Sequence, residues 1–262
     1  MIPVLKRFLN FLPMKKIVIK LRKSHTINKI EYRLSWLSAS FGINPLWKMT
    51  DSRKHWQSRT LGDEHGPEKY LQEDNSTYVL FEDLLEVVGK DTSFLEIGCN
   101  AGRNLNFLYN FGYRNLAGIE INELSINKTM KERFPDLYNT GRFYIGNAAR
   151  EIKKIPSKSY DVTFSIAVLE HIPPEDKSLY FDMARVTRGY IAIITGANSR
   201  QYPYNYDKMF DKFGYKKVLF RLFYGEGHNF EFPKEFYDEK KHFFNSMFLS
   251  IFVKKRGTVK KH

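Results

Sequence analysis

The stretch Phe94-Leu95-Glu96-Ile97-Gly98-Cys99-Asn100-Ala101-Gly102-Arg103-Asn104 constrains this chain more than any other. It reads as a short buried strand from Ser93 to Ile97, a tight turn of small residues, and a helix from Asn104 to Phe111. The next apolar run, Leu116 to Ile119, ends in a carboxylate, Glu120. Strand, turn, helix and a second strand closed by an acid make one half of a nucleoside-binding α/β unit. The turn lets backbone approach a ligand, and the acid is placed to hold ribose hydroxyls. Glu120 follows Gly98 by 22 residues, close to the separation of about 20 set by one intervening helix.

Two phosphate-binding loops are excluded. A dinucleotide fingerprint, Gly-x-Gly-x-x-Gly counted from Gly98, would need glycine where Asn100 and Arg103 stand. A P-loop would need Gly-Lys-(Ser/Thr) after the turn, and none follows. Two more segments repeat the strand-then-polar pattern. Tyr144-Ile145-Gly146-Asn147-Ala148 follows a predicted strand at 142–145. The apolar run Tyr160 to Leu169 leads into Glu170-His171-Ile172-Pro173-Pro174. Taken singly, Glu120 reads as well as a surface carboxylate, and Asn147 as a turn residue. Their joint spacing is what carries the signal.

Together these segments resemble class I S-adenosylmethionine-dependent methyltransferases of the small-molecule type, over roughly residues 70–253. Members of that family carry (Asp/Glu)-x-Gly-x-Gly-x-Gly in the first loop. Glu96, Gly98 and Gly102 match, and Asn100 replaces the middle glycine. Asn is the non-glycine residue that best tolerates positive φ, so the turn survives the change. The resemblance implies a seven-stranded, mostly parallel, Rossmann-like α/β sheet. Helices would cover both faces, and the last strand would run antiparallel.

It also implies S-adenosyl-L-methionine as cofactor, with a role for each matching position. Glu96 and the Gly98–Asn100–Gly102 backbone would hold the methionine end. Glu120, with Ile121 beside it, would hold the ribose. Asn147 and Ala148 would meet adenine, and Ala167 would border the sulfonium. Arg103 would either approach the cofactor carboxylate or lie on a helix surface. His171 is the first candidate for a catalytic base and Glu170 the second, because both follow the fourth strand at the open end of the cleft. A purely structural role in supporting the loop is the competing reading of both. Tyr202 and Tyr204, after the fifth strand, and His228 are expected on the substrate side. No metal is expected.

Charge separates the core from the ends. The chain of 262 residues carries +13. Residues 1–60 hold 13 Lys/Arg against Glu31 and Asp51, and the last ten residues hold five cations, which leaves a net −3 for residues 61–252. A slightly acidic core favours a small-molecule or glycan acceptor, with oxygen the expected methyl acceptor, over a nucleic acid gripped at the cleft. The basic ends keep a tRNA or rRNA methyltransferase as the alternative. The replaced glycine keeps open a binding protein that has the fold without turnover. Two base-modifying chemistries do not fit. Ser165-Ile166-Ala167-Val168 stands where amino-methyltransferases carry (Asp/Asn/Ser)-Pro-Pro-(Tyr/Phe). The only cysteine, Cys99, is not where pyrimidine C5 methylation needs a nucleophile.

Residues 1–66 read as a basic, partly helical N-terminal appendage, with His55–Gly66 as a loop. Residues 67–253 read as the methyltransferase domain, and 254–262 as a basic tail. Within the domain, 223–245 between the last two predicted strands exceeds a hairpin and is rich in aromatic residues, so it reads as a substrate-side insertion. Residues 1–23 mix large apolar residues with cations. They fit an anionic membrane surface, a packing or dimer contact, or RNA. No apolar run reaches the length of a spanning helix, and one cysteine forms no intramolecular disulfide. The expected setting is cytoplasmic, with peripheral membrane contact through residues 1–23 as a variant.

Overall fold

The computed structural model describes residues 52–63, 65–71, 75–196, 204–224 and 246–255. Four short apolar runs, Phe94–Ile97 (β1), Leu116–Glu120 (β2), Tyr160–Ile166 (β4) and Thr187–Gly196 (β5), are buried along most of their length. Continuous burial is what a parallel strand covered on both faces requires. With Arg142–Ile145 (β3), Tyr215–Tyr224 (β6) and Ser246–Lys254 (β7) they form one seven-stranded sheet in the order β3-β2-β1-β4-β5-β7-β6. β1 to β5 pair in parallel, and β7 runs antiparallel to both β5 and β6. This is the expected α/β sheet.

Alternation along each strand sends side chains to two cores. Phe94, Phe164, Ile194 and Leu249 pack on one face, with Phe81 and Leu84 of α2 (Asn75–Leu85) and Leu105 and Leu108 of α3 (Arg103–Asn110). Leu95, Ile97, Ile119, Ile193 and Phe252 pack on the other, with Leu179 and Met183 of α7 (Ser178–Val186) and Phe210 of α8 (Tyr206–Lys212). A short helix, α1 (Ser52–Gln57), precedes this unit, so the region expected as a loop begins only after Gln57.

Residues 123–133 are helical, but the middle of this stretch, Ser125–Met130, is π-helical and leads into α4 (Lys131–Arg133). The wider turn brings Ser125 Oγ to 3.1 Å from Asn100 Oδ1. After α5 (Pro135–Thr140) and β3 the chain forms α6 (Ala148–Glu151). Pro173 is extended and Pro174 opens a 3-10 turn, Pro174–Asp176, before α7 starts at Ser178.

Phe164 is fully buried and meets Phe81 and Phe94 edge-on, with ring centroids 5.4 and 6.4 Å away. Phe164→Ala should therefore lower unfolding free energy by about 3–5 kcal/mol. Urea denaturation followed by circular dichroism checks this, and a loss below about 1 kcal/mol would show that this face of the sheet is loosely packed.

Candidate functional site

A cavity of about 460 Å³ opens at the carboxyl ends of β1, β2 and β4, within the range of roughly 300–1,000 Å³ usual for small-molecule sites. Glu96, Gly98, Asn100, Glu120, Ile121, Asn147, Ala148, Ala167 and His171, all expected from sequence, stand on its wall. They come from the ends of four neighbouring strands, where a doubly wound sheet leaves its crevice.

Glu96 alternates with Leu95 and Ile97, so it leaves β1 on the face covered by α2 and α3. Its Oε1 accepts a 2.6 Å hydrogen bond from Asn104 Nδ2, and Asn104 Oδ1 accepts one of 2.6 Å from Thr77. Its Oε2 is buried and has no hydrogen-bond partner among the described residues. Burial dominates over the Asn104 bond and pushes the carboxyl pKa up to about 8. Glu120 is satisfied instead by backbone: Oε2 accepts from the Asn100 N–H and Oε1 from the Asn122 N–H, each at 2.8 Å. Burial raises its pKa too, opposed by those two amides.

The turn between the two acids works as the sequence predicts. Gly98 has φ +74°, and a Cβ there would lie 2.5 Å from Val168 Cγ2, so only glycine fits. Asn100 takes φ +46° without glycine's freedom. Gly102 also has positive φ, but it is absent from the cavity wall. Its α-carbon starts α3 and abuts Met130, and a Cβ would come within 2.6 Å of Met130 Cε. Ala167 holds φ +54° at the end of β4, a conformation that costs an alanine roughly 1 kcal/mol.

Asn147 is already engaged. Its Oδ1 caps α6 by accepting from the Arg150 N–H at 3.2 Å, and its Nδ2 donates to Asp176 Oδ2 at 2.8 Å. His171 faces the cavity with Trp56 beside it, ring centroids 5.2 Å apart. Two positions expected at the site are elsewhere. Glu170 turns away from the cavity, buried, with Oε1 accepting from the Gly196 N–H at 3.1 Å, because the 3-10 turn Leu169–His171 sends successive side chains in different directions. Tyr204 packs on Tyr180, ring centroids 5.2 Å apart, and donates its hydroxyl to the Ile172 carbonyl at 3.2 Å. Tyr202 and His228 lie outside the described residues, as do residues 1–23.

Sequence reading missed the other wall. Arg53 and Trp56 of α1, with His65, close the cavity from a segment assigned to the appendage, and Tyr70 lines it from the start of the domain. This segment is fastened by Ser52 Oγ donating to the His171 carbonyl at 2.9 Å, by Asn122 Nδ2 donating to the Arg59 carbonyl at 2.9 Å, and by an Arg53–Asp176 ion pair at 3.2 Å. All three links are long-range in sequence, so no local pattern announces them. Among the described residues no cluster of ligating side chains could hold a metal, and no helix is long and apolar enough to cross a membrane.

Comparison with curated proteins by sequence gives no match. A family model described as "Methyltransferase domain" matches residues 95–193, which span β1 to β5. Among solved structures the chain is similar to magnesium protoporphyrin IX methyltransferase from Synechocystis PCC 6803 with bound SAM. That likeness has a TM-score of 0.56 and 14% identity, and covers 80% of this chain and 99% of the other. It is similar to a chain of the complex between a Haloferax volcanii methyltransferase and its activator (TM-score 0.56, 13% identity, 80% and 100% covered). It is also similar to the [4+2]-cyclase SpnF (TM-score 0.54, 12% identity, 70% and 81% covered). At such identities the likenesses establish fold, and the cyclase shows that this fold also serves other chemistry. Residues 95–193 thus match the methyltransferase-domain model, and the chain has the Rossmann-like fold of these methyltransferase structures.

Proposed function

We propose that this protein transfers a methyl group from S-adenosylmethionine to an oxygen of a small-molecule or glycan acceptor. One observation carries the cofactor half: a single cavity joins the buried, unpartnered Glu96 Oε2 to Glu120 across the Gly98–Asn100 turn. An unpaired acid in such a place needs a cationic or donating ligand, and the α-ammonium of the methionine end supplies one. Glu120 meets the ribose hydroxyls with the lone pairs its two amides leave. Ile121 and Ala148 flank the base, and Ala167 borders the sulfonium. When bound, the cofactor supplies an activated methyl group with a neutral thioether as leaving group. The protein's task is then to align the acceptor and exclude water.

Trp56, His65, His171, Ile172 and Pro173 would wall the acceptor end, an aromatic and apolar mouth with two imidazoles beside the Trp56 ring. This favours a compact acceptor over a polyanion. His171 is the group placed to take the acceptor proton. Glu170, turned away and hydrogen-bonded to Gly196, has no part in proton transfer.

Three outcomes test this reading. Calorimetry should show S-adenosylhomocysteine binding, weakened at least about tenfold in Glu120→Ala. An absence of binding, or an unchanged Kd in that variant, would remove the cofactor reading. Transfer of labelled methyl should be seen to phenol, polyol or saccharide acceptors and not to RNA. On the accepted compound, His171→Ala should lower kcat by about 100-fold or more while leaving the Kd for S-adenosylhomocysteine within about twofold. Salt-sensitive methylation of RNA alone would replace the small-molecule reading by the nucleic-acid one.

The third outcome concerns pH. The folded protein without cofactor holds a proton on Glu96 up to about pH 8, whereas the unfolded chain releases it near 4.5. The folded state therefore binds more protons across that window, and stability falls as pH rises through it. Melting temperatures from pH 5 to 8.5 should decline less steeply in Glu96→Gln. Equal slopes would mean that Glu96 ionises normally in the folded protein.

A further inference from the structure

Adenine presents an exocyclic amine that needs an acceptor, and the residue expected to meet it, Asn147, has both ends of its amide engaged by protein. Its carbonyl oxygen caps α6, and its amide donates to Asp176. The partner that accepts from it is better suited. Asp176 stands on the cavity wall next to Asn147 and Ala148. Its Oδ2 takes both the 2.8 Å bond from Asn147 Nδ2 and the 3.2 Å contact from Arg53 Nε. Oδ1 accepts no hydrogen bond among the described residues. The carboxylate is thus fixed from two sides, by the end of β3 and by α1, with one oxygen left to accept. Its side chain is 14% exposed, so a hydrogen bond made there is only partly screened by solvent.

We propose that Asp176, oriented by Asn147 and Arg53, reads the amino edge of the cofactor's adenine. The inference rests on the cofactor reading above. It makes nucleobase selection the work of a carboxylate after the fourth strand, and it ties that selection to the segment closing the cavity, because Arg53 belongs to α1. No local pattern announces this: Asp176 follows Pro173-Pro174-Glu175 as an ordinary turn acid, and Arg53 lies 123 positions away.

The chemistry predicts a swap of preference. The oxygen that faces Asn147 Nδ2 must remain an acceptor. In Asp176→Asn the amide oxygen therefore stays with Asn147, and its NH2 takes the place of Oδ1. A donor then meets the base edge where an acceptor stood. That suits a 6-oxo purine and repels a 6-amino one.

The test measures dissociation constants of S-adenosylhomocysteine and of its 6-oxo analogue, S-inosylhomocysteine, by calorimetry. The wild-type protein should prefer the adenosyl compound by about tenfold to hundredfold, the value of one charge-assisted hydrogen bond. Asp176→Ala should erase the preference and Asp176→Asn should invert it, whereas Glu120→Ala should weaken both compounds alike and keep the ratio. A wild-type protein that binds the two equally overturns the inference without any variant. So does a ratio unchanged in folded Asp176→Ala, with folding checked by thermal melt. Binding of neither compound to the wild type would remove the cofactor reading itself, and this inference with it.

Discussion

The cavity exists because the chain reverses direction across its sheet. β2 and β3 extend to one side of β1, and β4 and β5 to the other. The connection leaving β1 therefore turns to one face, and the one leaving β4 to the other, which opens a crevice between their carboxyl ends. Everything chemical in this molecule sits at that parting. Glu96 and Gly98 close β1, Glu120 closes β2, Asn147 follows β3, and Ala167 to His171 follow β4. The two apolar cores on either side of the sheet hold these strand ends in register. The site is thus a consequence of topology, and the side chains decide only what occupies it.

Holding that crevice open has a cost in stability. Glu96 is buried with an oxygen unpartnered among the described residues, Ala167 has a left-handed backbone, and Gly98 permits an approach to Val168 that no side chain would allow. Each departs from what a sequence optimised for stability alone would choose. Thr77 and Asn104 offset part of the penalty by bonding the inner oxygen of Glu96 in a chain that runs from α2 through α3 to β1. Asn100 is a compromise of another kind. It takes the left-handed turn without glycine's freedom, and its side chain is used, accepting from Ser125 where the π-helical turn widens.

What was legible in the sequence followed from short-range pattern. Apolar runs ended by Glu120 or followed by Asn147 marked strands at the site, whereas the seven-stranded, mostly parallel sheet came from the family resemblance. Spacing along one α/β unit placed Glu96, Gly98 and Glu120 together. The misplacements have a common cause. Glu170 and His171 are adjacent in sequence, but a 3-10 turn splits them, one toward the cavity and one into the protein. Tyr204 was read from its position after β5, but its hydroxyl finds a carbonyl nearby. The entire wall contributed by α1 escaped notice, because a short helix owes its place to partners more than sixty residues away. The aromatic run at 225–245 lies outside the described residues.

The manner in which α1 is attached has a kinetic consequence. The strands exchange ladders of main-chain hydrogen bonds, whereas Ser52–Gln57 is joined to the rest by side chains: the Ser52 hydroxyl, the Arg53 ion pairs with Asp176 and Glu175, and the Trp56 ring against His171, with the Asn122 bond to Arg59 nearby. A segment joined by side chains, without a main-chain ladder to its neighbours, opens at a free energy below that of global unfolding. Amide exchange in this segment therefore runs ahead of that in the sheet, and its opening uncovers one wall of the cavity while the strands stay paired.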